Sequence, residues 1–467
     1  MHQLRRYRNI VGLCLLVVGL ARLPSASAQD ETTPSDTTSS ETPTAETTET
    51  EVPSPSISDI VGPTLPSGEP AYGNSLDAPT SAFTIGPATP GRPFHLVLAL
   101  TGGYDSNSNT NSNSSSGSQG GSAFINGSLD SRYDFRISRT LITIEGGGAV
   151  TDYLDRPGSG GVNYSGHIRL DLHDSISARM TLDGSVFATY TSEPDFNLNT
   201  GINRRVGSYL SSTGELTLGY LWTPRFSTRS SYTFDAFFQG GQNNPGTAGL
   251  SNIGNTQDRI ENTFSNQFRW LLWPATTAFI NYRLSFTNYQ NNSAFNSITN
   301  SLLAGLEHSF TPRFNASFQG GAQYRTYESS GDSLAPTFEA SVNYLFSTRS
   351  AITGFANYGI QPATVVGSSQ RTSLRTGLNG HYAWTARISS SLGFIYEHTD
   401  YGNNGTGIAT AGAHFSEDTL NLNLSAGYAI TRYLGLHADY NFTDVISNQP
   451  LRAYTRNRLS AGVNFRF

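Results

Sequence analysis

From Phe94 to Phe467 hydrophobic and polar residues alternate with a period of two. Near the start, Leu96, Leu98 and Leu100 alternate with Val97, Ala99 and Thr101. Ile125, Gly127, Leu129 and Tyr133 stand against Asn126, Asp130, Arg132 and Asp134. Further on, Leu420, Leu422, Leu424, Ala426 and Tyr428 oppose Asn421, Asn423, Ser425 and Gly427, and Leu434, Leu436, Ala438, Tyr440 and Phe442 oppose Gly435, His437, Asp439 and Asn441. A two-residue repeat puts successive side chains on opposite faces of a strand, so the pattern predicts an all-β chain.

The aromatics decide which kind. The apolar face carries Leu, Val, Ala or Gly in its middle and aromatic rings near its ends, as at Tyr190, Tyr220, Trp270, Tyr282, Phe286, Tyr382 and Trp384. That is the arrangement of a lipid-facing band between two aromatic girdles. The other face, rich in Asn, Ser, Gly, Asp, Glu and Arg, suits a wet lumen. A soluble sandwich needs two dry inner faces, and only one apolar face is present.

The punctuation between strands agrees. Short connections fall at Ser138–Thr140, Ser177–Arg179, Thr223–Arg225, Trp273–Ala275, Thr311–Arg313, Ser347–Arg349, Thr385–Arg387 and Thr431-Arg432. They alternate strictly with longer Gly/Asn/Ser-rich ones at 105–121, 154–162, 191–207, 240–258, 290–297, 328–335, 362–370, 400–412 and 445–455. Outer-membrane barrels combine short periplasmic turns with longer extracellular loops. These connections predict a transmembrane antiparallel up-and-down β-barrel of about eighteen strands, or sixteen if one hairpin is misread. A closed barrel is also the one sheet that leaves no backbone group unpaired in hydrocarbon.

The last strand runs to Phe467, with Leu459, Ala461, Val463, Phe465 and Phe467 on one face. The end of this strand, Val463, Phe465 and Phe467, resembles the C-terminal signal by which the assembly machinery of bacterial outer membranes takes up barrels. At the other end, Arg5, Arg6 and Arg8 precede an apolar run from Ile10 to Leu20 and the A-x-A site Ala26-Ser27-Ala28. Residues 1–28 therefore read as a secretory signal peptide. The single cysteine, Cys14, lies inside it, which leaves the expected mature chain without a disulfide, a thiol nucleophile or a Cys-ligated metal.

Charge separates the remainder. Residues 29–92 hold ten acids and one arginine among Thr, Ser and Pro, and are expected to be a disordered periplasmic tail. Residues 93–467, the barrel, are near neutral, with 24 arginines, 25 acids and no lysine. There is no basic footprint for nucleic acid.

The first strand runs into Gly103-Tyr104-Asp105-Ser106-Asn107. In this segment and in its barrel architecture the chain resembles the outer-membrane families described as putative β-barrel porins, in particular the second of them, often encountered with exopolysaccharide systems. The resemblance covers roughly 93–467 and implies a channel-like protein without catalytic residues or cofactor.

Other chemistry is weaker. Asp105, Asn107 and Asn109 match the start of a calcium loop, but the sixth and twelfth positions are Thr110 and Ser116 where Gly and Glu are required. The histidines from His95 to His437 are scattered over different strands and none adjoins a G-x-S-x-G elbow, so an enzyme is not expected. Sugar binding would use inward aromatics, which the parity limits to a few, clearest at Phe237, Phe279 and Tyr289.

Candidate lumen charges follow from parity. In the first half they are Asp130, Arg132, Asp134, Glu145, Arg169, Asp171, Asp183 and Asp235. The second half adds Arg269, Arg283, Glu307, Arg325, Glu339, Arg375, Glu397, Asp439 and Arg466. Mixed signs predict weak charge selectivity. The sequence thus predicts a porin-like channel in lipid, passing small or oligomeric polar solutes or glycans. A barrel acting through its extracellular loops is the second reading, and a barrel hydrolase the third.

Overall fold

The computed structural model describes residues 93–109, 120–156, 162–192, 208–239, 258–291, 293–328, 331–347, 349–362, 370–402, 415–448 and 452–467. The expected signal peptide and tail lie outside these residues, as do most of the long loops, including 240–257.

Eighteen strands follow one another. They are β1 (Phe94–Asp105), β2 (Ser122–Ile137), β3 (Thr140–Tyr153), β4 (Val162–Ser177), β5 (Met180–Thr191) and β6 (Tyr209–Thr223). Next come β7 (Phe226–Gln239), β8 (Arg259–Trp273), β9 (Thr276–Tyr289), β10 (Ser297–Thr311), β11 (Phe314–Tyr327) and β12 (Ser333–Ser347). The set ends with β13 (Ser350–Pro362), β14 (Gln370–Ala383), β15 (Ile388–Gly402), β16 (Phe415–Ala429), β17 (Leu434–Ser447) and β18 (Tyr454–Arg466). Each pairs antiparallel with its neighbours in sequence, and β1 pairs with β18, so the sheet closes on itself. Eighteen, not sixteen, is the strand count.

Six of the eight short turns share a construction. A Thr or Ser hydroxyl accepts the backbone N–H two residues on, and in three turns also the next one. Thr223 takes Arg225 and Phe226, Thr385 takes Arg387 and Ile388, and Thr431 takes Tyr433 and Leu434, the last two at 3.1 and 3.0 Å. Thr311, Ser347 and Ser177 each cap one such N–H. A hydroxyl bonded to its own turn in this way fixes a reversal that would otherwise leave donors unmet.

Exposure separates the two faces. On β10, Ile298, Leu302 and Leu306 are 43, 58 and 53% exposed, whereas Leu303 between them is 1% exposed. The exposed face is the outer one, in contact with hydrocarbon. Its rings collect at both ends. Trp222, Trp270, Trp273 and Trp384, all four tryptophans, flank the short turns, while Tyr104, Tyr164, Tyr190 and Tyr324 lie at the long-loop ends. Tyr–Trp neighbours two residues apart, Tyr220–Trp222 and Tyr382–Trp384, meet edge to face at 4.6 and 4.7 Å. Amphipathic rings of this kind settle at headgroup depth.

Candidate functional site

The concave face is the lumen, and curvature decides which of its side chains meet. Arg283 on β9 reaches Glu339 on β12 at 2.5 and 2.9 Å, across two intervening strands. On a flat sheet, strands ≈ 4.8 Å apart would put these backbones about 14 Å from one another, so the contact depends on inward bending as well as on long side chains.

The sequence-derived charges resolve into pairs. Arg132 binds Asp134 at 3.1 Å and Glu145 at 3.0 Å. Arg169 binds Asp171 at 2.6 Å, and Arg269 pairs with Glu307. Glu397 is held by Arg371 at 2.9 Å, with both side chains almost wholly buried. Asp130 lies 3.7 Å from His167 and Asp183 2.6 Å from His173, while Asp439 is 3.8 Å from His437. Asp235 accepts the Thr213 hydroxyl at 2.7 Å. Arg375 stands over the Phe355 ring at 5.5 Å, Arg325 over Tyr327 at 5.7 Å, and Arg466 lies opposite Val97 near the short-turn end. Most of the arginine pairs are part-buried, and opposite charges this close offset one another. Their main effect is to cancel one another's field.

Between the pairs run neutral hydrogen-bonded ladders. Asn441, Asn423 and Asn421 bond in succession, and Asn421 continues to Thr443. Asn126 bonds Thr151, Ser265 bonds Asn281, and Asn281 in turn bonds Gln319.

The third of the lumen at the long-loop end differs from expectation. Inward aromatics are not few: Phe124, Tyr153, Tyr209, Tyr327, Tyr401 and Tyr454 join Phe237 and Tyr289, none more than 6% exposed. All eight lie within three residues of the long-loop end of a strand. Phe295, in a 3-10 turn Ser293–Phe295 between β9 and β10, packs on Tyr289 at 5.6 Å. Guanidiniums cover many of these rings: Arg458 over Phe124, Arg156 over Tyr153, Arg259 over Phe237 and Arg452 over Phe415, at 4.2 to 5.4 Å. Cation–π contacts add ~0.5–2 kcal/mol apiece and stiffen the mouth into a collar.

Several of the collar's charged residues, Arg156, Arg259, Arg371, Glu417, Arg452, Arg456 and Arg458, were absent from the sequence-derived set. Parity alone would have found Arg371, which shares a face with Arg375 four positions on. Glu417 binds Arg452, and Arg456 binds Asp105. The apparent calcium motif is thereby explained: the Asp105 carboxylate, 0% exposed, is occupied by Arg456, the Tyr153 hydroxyl and the Asn107 backbone N–H.

The model of the family described as "Putative beta-barrel porin 2" matches residues 96–467. The chain belongs to this family. Its matched region takes in essentially the whole barrel and leaves out the acidic tail. Among solved structures, OccAB4 of Acinetobacter baumannii is similar at 13% identity and a TM-score of 0.41, over 80% of this chain and 99% of that one. OpdQ of Pseudomonas aeruginosa is similar at 11% identity and 0.39, over 80% and 97%. A ferric enterobactin receptor (PfeA) mutant from Pseudomonas aeruginosa matches at 9% and 0.41, over 81% of each chain. No curated protein matches the chain.

Proposed function

We propose that this porin-family barrel is a passive diffusion pore or export conduit of the bacterial outer membrane for small or oligomeric polar solutes, with its N-terminal tail in the periplasm. The observation that carries the reading is the lumen face. It offers hydrogen-bonding side chains from one end to the other, and its charges largely neutralise each other in pairs. Such a lining substitutes for water around a hydroxyl-rich solute without a strong field to reject either sign. The arginine-backed collar sets the size limit at the extracellular mouth. Export of exopolysaccharide is the setting that the family resemblance suggests, and insertion by way of Val463, Phe465 and Phe467 is the corresponding assembly route.

The experiment is reconstitution. Liposomes bearing the purified barrel should swell in sugars at rates that fall with size, and planar bilayers should show stepwise conductance. A barrel that neither swells liposomes nor conducts overturns the reading.

A further inference from the structure

One sector of the collar departs from the rule of internal pairing. Arg325 is 3% exposed, and among the described residues it bonds neutral hydroxyls, Ser297 at 3.1 Å and Thr287 at 3.3 Å, together with that of Tyr327. Among the described residues its Nη1 has no partner. The Tyr289 hydroxyl has none either, nor does Nη1 of Arg259, which sits directly opposite Tyr289 in the β8–β9 register. The Thr299 hydroxyl, opposite Arg325 in the β10–β11 register, is likewise unmet. The registers thus set Arg259 beside Tyr289 and Thr299 beside Arg325, and the bonds from Arg325 to Ser297 and Thr287 carry its guanidinium towards Tyr289, on the lumen face near its extracellular end.

The charged groups acting on Tyr289 are Arg259, Arg325, Glu261 and Arg371. Arg371 is already bound to Glu397, whereas Arg259 and Arg325 each keep an Nη1 unmet among the described residues. A guanidinium presents donors alone, and a buried donor without an acceptor is costly. Planar, paired N–H groups match a carboxylate better than any neutral acceptor, and charge-assisted bonds of this type are about twice as strong as neutral ones.

We propose that Arg259, Tyr289, Thr299 and Arg325 form a binding site for the carboxylate of a small solute crossing the lumen. The proposal rests on the pore reading for its physiological role, whereas binding itself does not depend on conduction.

Glucuronate and glucose make the matched probe pair, sharing a ring and differing in the carboxylate. With the full-length barrel in planar bilayers in KCl, glucuronate should reduce the current in a saturable way and glucose should not. Arg325→Gln or Arg259→Gln should weaken the effect at least tenfold and Tyr289→Phe several-fold, whereas Arg169→Gln, in a separate ion pair, should leave it unchanged. Retention of the heat-modifiable folded band on gels confirms that each variant folds. Calorimetric titration of glucuronate into the detergent-solubilised barrel supplies a readout independent of conduction. Binding without conductance would uphold the site and overturn the pore; conductance without glucuronate binding would overturn the site and leave the pore. Inorganic phosphate acting as strongly as glucuronate would overturn the carboxylate assignment, as would equal blocks by glucose.

Discussion

The carboxylate of Asp105 and the guanidinium of Arg456, 351 positions apart in the chain, meet at 2.5 to 3.1 Å across the seam where β1 and β18 close the barrel. The Tyr153 hydroxyl bonds the same carboxylate from β3, at 3.2 Å. Both charged side chains are almost inaccessible to solvent. The pair therefore ties the first strand to the last at the one place where no turn does.

Removing one partner leaves the other charge buried without its ion-pair partner, which costs up to about 3–5 kcal/mol. Asp105→Asn and Arg456→Gln should each lower the temperature at which the folded band is lost on gels. The double variant should be less destabilised than the sum of the two. Additive losses would show that the two side chains act independently.

Selectivity tests the pairing in the middle of the lumen. With Arg283 bound to Glu339, the wild-type pore should give a reversal potential near zero in a KCl gradient. Glu339→Gln frees the Arg283 charge and should shift the potential towards anion preference, and Arg283→Gln should shift it the opposite way. A strong preference in the unaltered protein would mean that the pairs do not cancel.

The turn hydroxyls are separable from both. Thr385→Val and Thr431→Val each remove the acceptor of two backbone N–H groups. Exposed turns can recruit water, so each loss should be only about 1 kcal/mol, read from urea midpoints in lipid. Conductance should not change, because these residues lie outside the lumen.

Close approach at the seam makes a sharper demand on Gly462. A Cβ there would overlap the Leu100 carbonyl oxygen and come within 2.7 Å of the His437 ring. The carbonyl belongs to the sheet ladder and cannot step aside, so Gly462→Ala should slow closure and lower stability by about 1–3 kcal/mol. Gly127→Ala, with nothing within 4 Å of the added carbon, is the matched control.

Much of this fold was legible in the residues, because a barrel strand obeys only two local rules. Period-two alternation set the faces of Leu98 and Leu100, and short turns alternating with long polar loops pointed to about eighteen strands, with sixteen left open. Who pairs with whom across the lumen was not legible. Arg283 finds Glu339 through curvature and through the registers of three successive hairpins, none of which is encoded near either residue. The collar was missed for a different reason. Aromatics at strand ends fit an outer girdle and an inner collar equally well, and Tyr153, Tyr209 and Tyr454 turn inward. Asp105 looked like a ligand-binding residue because its true partner lies at the opposite end of the sequence.

Because β18 bonds to β1 as any strand bonds to its neighbour, the sheet has no first or last member. The main chain confirms the join, with Leu96 and Phe467 exchanging hydrogen bonds at 3.3 and 2.9 Å. Phe94 and Phe467 thus lie on adjacent strands at the short-turn end, where a few-residue linker would span them. Topologically the break in the polypeptide is arbitrary. A circularly permuted gene, opened within any long loop and joined at this seam, encodes the same ring of strands in the same order.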